Sequence, residues 1–498
     1  MSEVKTIQKW FKQNVKDGDR SYTLDKNQAK IVGDRHKNTL VTARAGSGKT
    51  RTIVAKIVYL LAHEHIKPNE IIVFAFNKKA CLEINERVAK IEYSGKPLFK
   101  KPPAIATTFH AFAYQLLGGS KALKNRLEIS EEPETRFGNY ASDQNDEEKR
   151  QKIHELRQTT QFITRAEQQF FKNYDELLEK IKNLKNQEIK TKLLKEFENL
   201  QEYHKKLKSE NKLNFNQLIA NAAIKLDIIK ETPYKYIFID EYQDFSLLFL
   251  TLIQALRITC PSARLLSVGD DWQAINRFAG SNVEYFTRFE KYFPKDCVKL
   301  RIPTNYRSGK KIVKNANFFM SKALKDYAGC KAKNKLSSKI IYAKCENYFK
   351  TVKDIILKNQ NNSIKILSRN NNIRFRNQSL ENFVEQIKTE ILQSTPSITL
   401  DLTFSTIHKS KGLEADVVIL LEIDPGKFPG PDKTNGLYEI FGDNTKTLFA
   451  DEARLFYVAL TRAKEKLYIL SKNPTITKEN RKYNFFSYLN PDFLAPLD

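Results

Sequence analysis

Three groups of residues in this chain have types and spacings suited to phosphate chemistry. The first lies in the stretch Asn38 to Thr52, NTLVTARAGSGKTRT, where apolar residues with β propensity lead into a glycine-containing turn and a helical run from Lys49 to Leu61. Strand, Gly-rich turn and helix are the context a phosphate-binding loop requires. Gly46 and Gly48 let successive N–H groups point at one anion, and the new helix adds its positive end. Lys49 would reach the β- and γ-phosphates of a nucleoside triphosphate, and the Thr50 hydroxyl would ligate Mg²⁺. The strict pattern has a first glycine at position 43; here Ala43 stands there and only the AGSGKT core remains. The second group is DEYQD, where the apolar strand Tyr236–Asp240 ends in Asp240-Glu241. Two carboxylates at the C-terminal edge of an α/β sheet stand where ligands bind. Asp240 would hold Mg²⁺ through water, and Glu241 would orient or deprotonate the attacking water. Adjacent acids after a strand also occur as a plain solvated turn.

The third group is a set of single polar residues at segment ends. Gln273 follows the strand Ala263–Asp270 closely enough to sense a γ-phosphate. Arg307 in TNYRS and Arg462 in ALTRAK lie in a C-terminal half with no phosphate loop of its own. A second domain lending arginines to a nucleotide held by the first is the arginine-finger arrangement, worth on the order of 10³–10⁵ in rate. Each arginine taken alone also reads as a surface residue or a structural ion pair. Gln28, ahead of the loop, could fold its amide over the base or be an ordinary solvated helix residue. Phe278, followed by Ala279-Gly280, is an aromatic in a loop with little bulk around it. Such a ring is either core or a stacking platform for a nucleobase, worth roughly 1–3 kcal/mol per base.

The elements that must position these groups follow from the apolar pattern. Ile71–Phe76 is a continuous apolar run, as in a strand buried on both faces, and Ala104–Thr108 is a third strand; each is followed by a helix. Strand–helix repetition indicates a parallel, doubly wound α/β sheet. From 119 to 232 there is no strand signal, only charged helical text and an acidic loop at Ser142–Glu148, which reads as a helical insertion. A second α/β pattern fills the C-terminal half, with strands expected at Lys339–Ala343, Ser363–Ser368, Leu402–His408, Asp416–Ile423 and Lys466–Ser471. The 498 residues exceed one ordinary domain. Lys and Arg number 84 against 58 Asp and Glu, a net +26 that implies an anionic partner, most commonly nucleic acid. The five cysteines are scattered with no Cys-x-x-Cys, which argues against a zinc ribbon or iron–sulfur cluster and fits a reduced compartment. No window is apolar enough for a membrane span, so a soluble, cytoplasmic, nucleoid-associated protein with no membrane partner is expected.

With these segments in order, the chain resembles the UvrD/Rep/PcrA branch of superfamily 1 helicases, closest in spelling to the DNA helicase IV group. Gln28 matches that family's adenine-reading glutamine, and Ala43–Arg51, including Ala45, Gly46, Ser47, Gly48 and Arg51, matches its phosphate loop. FAFNKKACLEI, with Phe76 and Asn77, and TTFHAF, with His110, match segments that contact single-stranded DNA. DEYQD and VGDDWQAINRFAGS follow, then TNYRS, where the resemblance implies that Tyr306 stacks on the base and Arg307 contacts the γ-phosphate. In STIHKSKGLEADVVIL it implies that Glu414 accepts from the ribose while Thr406, His408 and Lys411 face DNA; in EARLFYVALTRAKEKL, Arg462 is the finger. Departures are Asn276 where the family usually has Tyr, Asn214-Phe215-Asn216 for an Asp-Phe-x-Asp segment, and Phe245 for Thr. They bear on DNA grip and step coupling, not on the hydrolytic set.

The resemblance implies two RecA-like (P-loop NTPase) parallel-sheet domains with ATP and Mg²⁺ between them, and 3′–5′ movement on single-stranded DNA or on a duplex with a single-stranded tail. The expected layout is a first RecA-like domain at 1–118 and 233–281, a helical insertion at 119–232, and a second RecA-like domain at 282–498. The large helical insertion that UvrD, Rep and PcrA carry in the second domain is reduced or absent here, within about 325–400. Two other readings stay open: a DNA-stimulated translocase that strips proteins and unwinds weakly, and an ATPase acting on a protein machine such as RNA polymerase, with 119–232 as the arm for a protein partner. DNA repair is one of several possible pathways.

Overall fold

The computed structural model describes residues 3–123, 147–334, 336–373, 378–395, 398–430, 436–472 and 484–497. The chain divides into two compact units. Unit 1 comprises Met1–Thr42, Lys49–Arg301 and Thr434–Asp443; unit 2 comprises Ala43–Gly48, Ile302–Lys433 and Asn444–Asp498.

Unit 1 is built on strands β1 (Asn38–Ala43), β2 (Ile71–Ala75), β3 (Ala106–Thr108), β4 (Tyr236–Ile239), β5 (Arg264–Gly269) and β6 (Cys297–Ile302), in the sheet order β6-β1-β5-β4-β2-β3. The ladders from β1 to β3 are parallel. Every residue of β2 and β4 is buried, because helices cover both faces. Helices α1 (Lys26–Gly33), α2 (Lys49–Ala62), α3 (Lys78–Ala89) and α4 (Phe109–Leu116) begin at side-chain caps or at the phosphate loop. Asn77 accepts from the Ala80 N–H at 2.8 Å and Thr108 from the Ala111 N–H at 3.0 Å, so motif residues also start the helices. The expected end of the first domain at 281 falls short of what the sheet uses. Strand β6 adds to its edge beside β1, with Leu300 and Ile302 buried and Lys299 and Arg301 exposed.

Among the described residues the insertion is built of helices joined by short turns. Helices α5 (Glu147–Phe170), α6 (Tyr174–Lys182) and α7 (Gln187–Ser209) bury Phe162, Leu177, Ile181 and Phe197 in a core separate from that of the sheet. Leu437, Tyr438 and Phe441, far downstream in the chain, complete that core. Helix α8 (Phe215–Leu226) packs instead with α4 and with α9 (Leu247–Thr259) against the sheet. Most of the acidic loop expected at Ser142–Glu148 lies outside the described residues.

Unit 2 has strands β7 (Lys339–Lys344), β8 (Ile364–Ser368), β9 (Leu402–Thr406), β10 (Ala415–Leu420), β11 (Ala463–Ser471) and β12 (Leu494–Pro496), in the order β9-β8-β10-β11-β7-β12 and all parallel. Its helices are α10 (Lys310–Ala323), α11 (Tyr348–Lys358), α12 (Leu380–Ser394) and α13 (Thr445–Leu460). The stretch 325–400 supplies β7, β8, α11 and α12, and among the described residues it forms no separate helical body. Pro496 sits in β12, an edge strand, where a missing N–H is tolerated. No described helix is long and apolar enough to cross a membrane.

Candidate active site

In unit 1 the sheet brings three strand ends together. Because β5 lies between β1 and β4, the residues following these strands share one edge, the C-terminal one. Lys49 Nζ lies 3.1 Å from Glu241 Oε2. Burial works against the Lys49 ammonium, but the carboxylates of Glu241, Asp270 and Asp240 outweigh it and raise its pKa above the ordinary lysine value. Asp240 is buried, and that burial pushes its carboxyl up to about 7; Glu241 adds to the rise and Lys49 opposes it. The Glu241 N–H donates to Asp240 Oδ1 at 2.9 Å. Glu241 itself is left-handed, with φ 52°, a conformation that a non-glycine residue holds only where its surroundings enforce it. Gln273 donates to Asp270 Oδ2 at 2.7 Å.

Two members of this cluster escaped the sequence reading. Gln243 donates to Glu241 Oε2 while its Oε1 accepts from the Asp270 N–H at 2.8 Å. It therefore ties the second carboxylate of DEYQD to the end of β5. Asp270 in turn faces Lys49 electrostatically and holds Gln273. The signal was present in the spelling DEYQD and VGD, but nothing in it says which strands are neighbours.

Gln28 is 2 % exposed. Its Oε1 accepts from the Asp25 N–H at 3.1 Å in a capping box, and its Nε2 has no hydrogen-bond partner among the described residues. A buried amide donor left unmade costs about 1–3 kcal/mol, so this group suits a ligand acceptor such as a purine nitrogen. Arg51 packs over the Tyr22 ring, 4.0 Å from its centroid, with Asp17 at 3.8 Å. Thr50 stands in the first turn of α2.

Unit 2 gathers the remaining nucleotide candidates. Asn305 Nδ2 donates to the Ala45 carbonyl at 2.7 Å, and the Tyr306 N–H donates to the Gly46 carbonyl at 2.7 Å. Gly46 has φ +71°, and a Cβ there would stand 2.6 Å from Arg307 Cβ, so only glycine fits. The buried Ser47 hydroxyl has no hydrogen-bond partner among the described residues. Tyr306 has the Lys333 ammonium over its ring at 5.2 Å. Arg307 Nε lies 2.5 Å from Glu414 Oε2, and Lys464 meets the other carboxylate oxygen at 3.5 Å. Burial works against the Glu414 carboxylate, but Arg307 and Lys464 hold it below the ordinary range. Arg462 is buried and spends its guanidinium locally. It donates to the carbonyls of Val458 at 2.9 Å and Leu413 at 3.1 Å, and to Thr461 Oγ1 at 3.1 Å.

The strand-contact candidates divide by exposure. Phe278 is 52 % exposed and Asn77 is exposed. Phe76 is half-buried against Phe109 and Phe249. His110 sits edge-on to Phe215, and burial lowers its pKa to about 4. Burial, helped by Arg369 and Lys411, lowers that of His408 to about 3. Thr406 ends β9 and is buried, its Oγ1 accepting from the Lys409 N–H at 3.4 Å; Lys411 is half-buried. The Asn214-Phe215-Asn216 departure has a local reason. Asn214, which stands for the first aspartate of that segment, donates its amide to the buried Glu167 carboxylate at 2.6 Å, where an aspartate would repel it. The Asn216 amide donates to the other carboxylate oxygen at 2.8 Å.

Two parallel sheets, one carrying a phosphate loop and an acidic pair at its C-terminal edge, define a P-loop NTPase of the helicase kind. The UvrD/REP helicase N-terminal domain matches residues 24–294 and the UvrD-like helicase C-terminal domain matches 374–473. The chain belongs to the UvrD/REP helicase family, a class of ATP-dependent DNA helicases. It is 28 % identical to DNA helicase IV of Escherichia coli (strain K12), across 91 % of this chain and 69 % of that protein. It is 28 % identical to the ATP-dependent DNA helicase Rep of Buchnera aphidicola subsp. Baizongia pistaciae, across 60 % of this chain and 43 % of the relative. With the ATP-dependent DNA helicase UvrD1 of Mycobacterium leprae the identity is 26 %, over 59 % of this chain and 39 % of the relative. The chain thus spans less than half the length of the latter two.

Proposed function

We propose that this protein hydrolyses ATP to move 3′ to 5′ along single-stranded DNA, coupling turnover to closure of its two units and separating duplex ahead of it. The observation that supports the reading is the cluster of Lys49, Asp240, Glu241 and Gln273 at one sheet edge. Lys49 would leave Glu241 for the β- and γ-phosphates, and Glu241, still held by Gln243, would then accept the proton of the attacking water. Gln273 would report the γ-phosphate, and the Gln28 amide would read the adenine. Arg307, and Arg462 once released from its carbonyls, would offset charge developing on the transferred phosphoryl. Thr50 and Asp240 are hard oxygen donors beside a second carboxylate, a set that fits Mg²⁺. Mg²⁺, when bound, neutralises phosphate charge. The polarity and the choice of DNA rest on the family resemblance.

The deciding experiment measures ATP hydrolysis with no polynucleotide, single-stranded DNA, duplex DNA and RNA, over a salt series. Single-stranded DNA should stimulate most, and its binding should weaken steeply with salt. Turnover indifferent to every polynucleotide would instead favour action on a protein machine through 119–232. A second reading, a stripping translocase with weak unwinding, draws support from the use of 325–400 as sheet elements. Strand displacement on 3′-tailed and 5′-tailed duplexes, run beside streptavidin removal from a biotinylated strand, separates the two readings and tests polarity.

A further inference from the structure

Unit 1 contains a second charge cluster, whose members Arg165 and Asp443 are remote in sequence from the nucleotide residues. Arg165 of α5 is 0 % exposed, and its guanidinium forks onto Asp443, Nη1 to Oδ2 at 2.9 Å and Nη2 to Oδ1 at 2.8 Å. The same Nη2 donates to the Phe441 carbonyl at 3.2 Å. Arg277 brings a second cation to the same carboxylate, with Nη1 at 3.3 Å from Asp443 Oδ1 and 3.4 Å from the Gly442 carbonyl. Breaking one partner out of a buried, hydrogen-bonded set leaves charge without compensation, so this cluster resists rearrangement.

Its position gives it meaning. Arg277 directly precedes Phe278 in a single turn, Arg277–Ala279. On the other side of the ring, Gly280 has φ +90°, and a Cβ there would collide with the side chain of Gln168. Arg165 and Gln168 are three residues apart on α5, hence on one face of it. The loop carrying Phe278 is therefore held on both flanks by the same helix, on one flank through Asp443. Asp443 cannot drift, because Tyr438 and Phe441 of its own segment are packed into the core of the insertion.

We propose that Asp443 is a positioning residue for strand binding: by clamping Arg165 and Arg277 together it fixes the turn that presents Phe278 to a nucleobase. The proposal rests on the functional reading above. A ring fixed in advance loses less freedom on stacking, so the clamp acts on DNA affinity and not on the hydrolytic step.

The test titrates the ATPase of the full-length chain with oligothymidine at saturating ATP, for the unmodified protein, Asp443→Asn, Arg277→Gln and Arg277→Lys. Arg277→Gln changes a side chain that reaches solvent, which guards against loss of the fold in Asp443→Asn. The DNA concentration for half-maximal stimulation should rise roughly tenfold in Asp443→Asn and Arg277→Gln, as expected for part of one stacking contact. The DNA-free rate and the maximal stimulated rate should hold, and Arg277→Lys should recover most of the affinity. Unchanged half-maximal DNA in both variants overturns the clamp. A parallel fall of DNA-free rate and thermal midpoint also overturns it, by showing a scaffold role alone. Absence of stimulation in the unmodified protein sinks the functional reading itself, and the clamp with it.

Discussion

Lys49 Nζ and Glu241 Oε2 are 3.1 Å apart, so the lysine of the phosphate loop and the acid proposed as general base form an ion pair. Each neutralises the other in a site where Asp240 and Asp270 also lie near the lysine. Triphosphate binding would trade this pair for lysine–phosphate contacts and leave the carboxylate available to water.

Glu241→Gln should therefore lower ATP turnover by about 10²–10⁴-fold, the range for losing a positioned general base, while nucleotide and DNA binding persist. Steady-state hydrolysis beside equilibrium binding of a fluorescent ATP analogue checks this. Wild-type turnover in the variant would remove Glu241 from the chemistry.

Gln28→Ala should raise KM for ATP roughly tenfold, the value of one buried hydrogen bond to a base, with kcat little changed. It should also narrow the preference for ATP over GTP. Equal losses with both nucleotides would show that the amide serves the capping box alone.

Phe278→Ala should weaken single-stranded DNA binding by the 1–3 kcal/mol typical of one base–aromatic stack, or about 5- to 150-fold. Because the ring neutralises no phosphate, the slope of affinity against salt should stay as in the unmodified protein. A changed slope would mean that the substitution had disturbed basic residues instead.

His110 and His408 are held neutral by burial, at about 4 and about 3 against an ordinary 6.5. The unfolded chain takes up these protons first, so acid favours unfolding. The stability both contribute is complete above about 6.5 and declines as the pH falls, toward 4 for His110 and toward 3 for His408. Thermal midpoints between pH 8 and pH 5 should fall, and His110→Phe should flatten that decline. A variant that follows the unmodified protein at every pH would contradict it.

Much of this protein could be read from local pattern. The phosphate loop, the acidic pair and the strands with buried apolar runs are short-range features, because strands covered on both faces, such as β2 and β4, read as continuous apolar text. Strand β6 escaped because an edge strand exposes alternate residues, and Lys299 and Arg301 mask Leu300 and Ile302. Strand β12 escaped because its Pro496 reads as a breaker, although an edge tolerates it.

Only the tertiary structure decided which distant groups share a charge. Coulomb attraction acts across space and leaves no trace in residue order: Arg307 reaches Glu414, and Asp443 reaches both Arg165 and Arg277. Residue order alone specified a phosphate loop, an acidic pair and two sheets to hold them, because hydrophobic period and backbone freedom are written residue by residue. Which carboxylate faces which cation had to wait for the strand order.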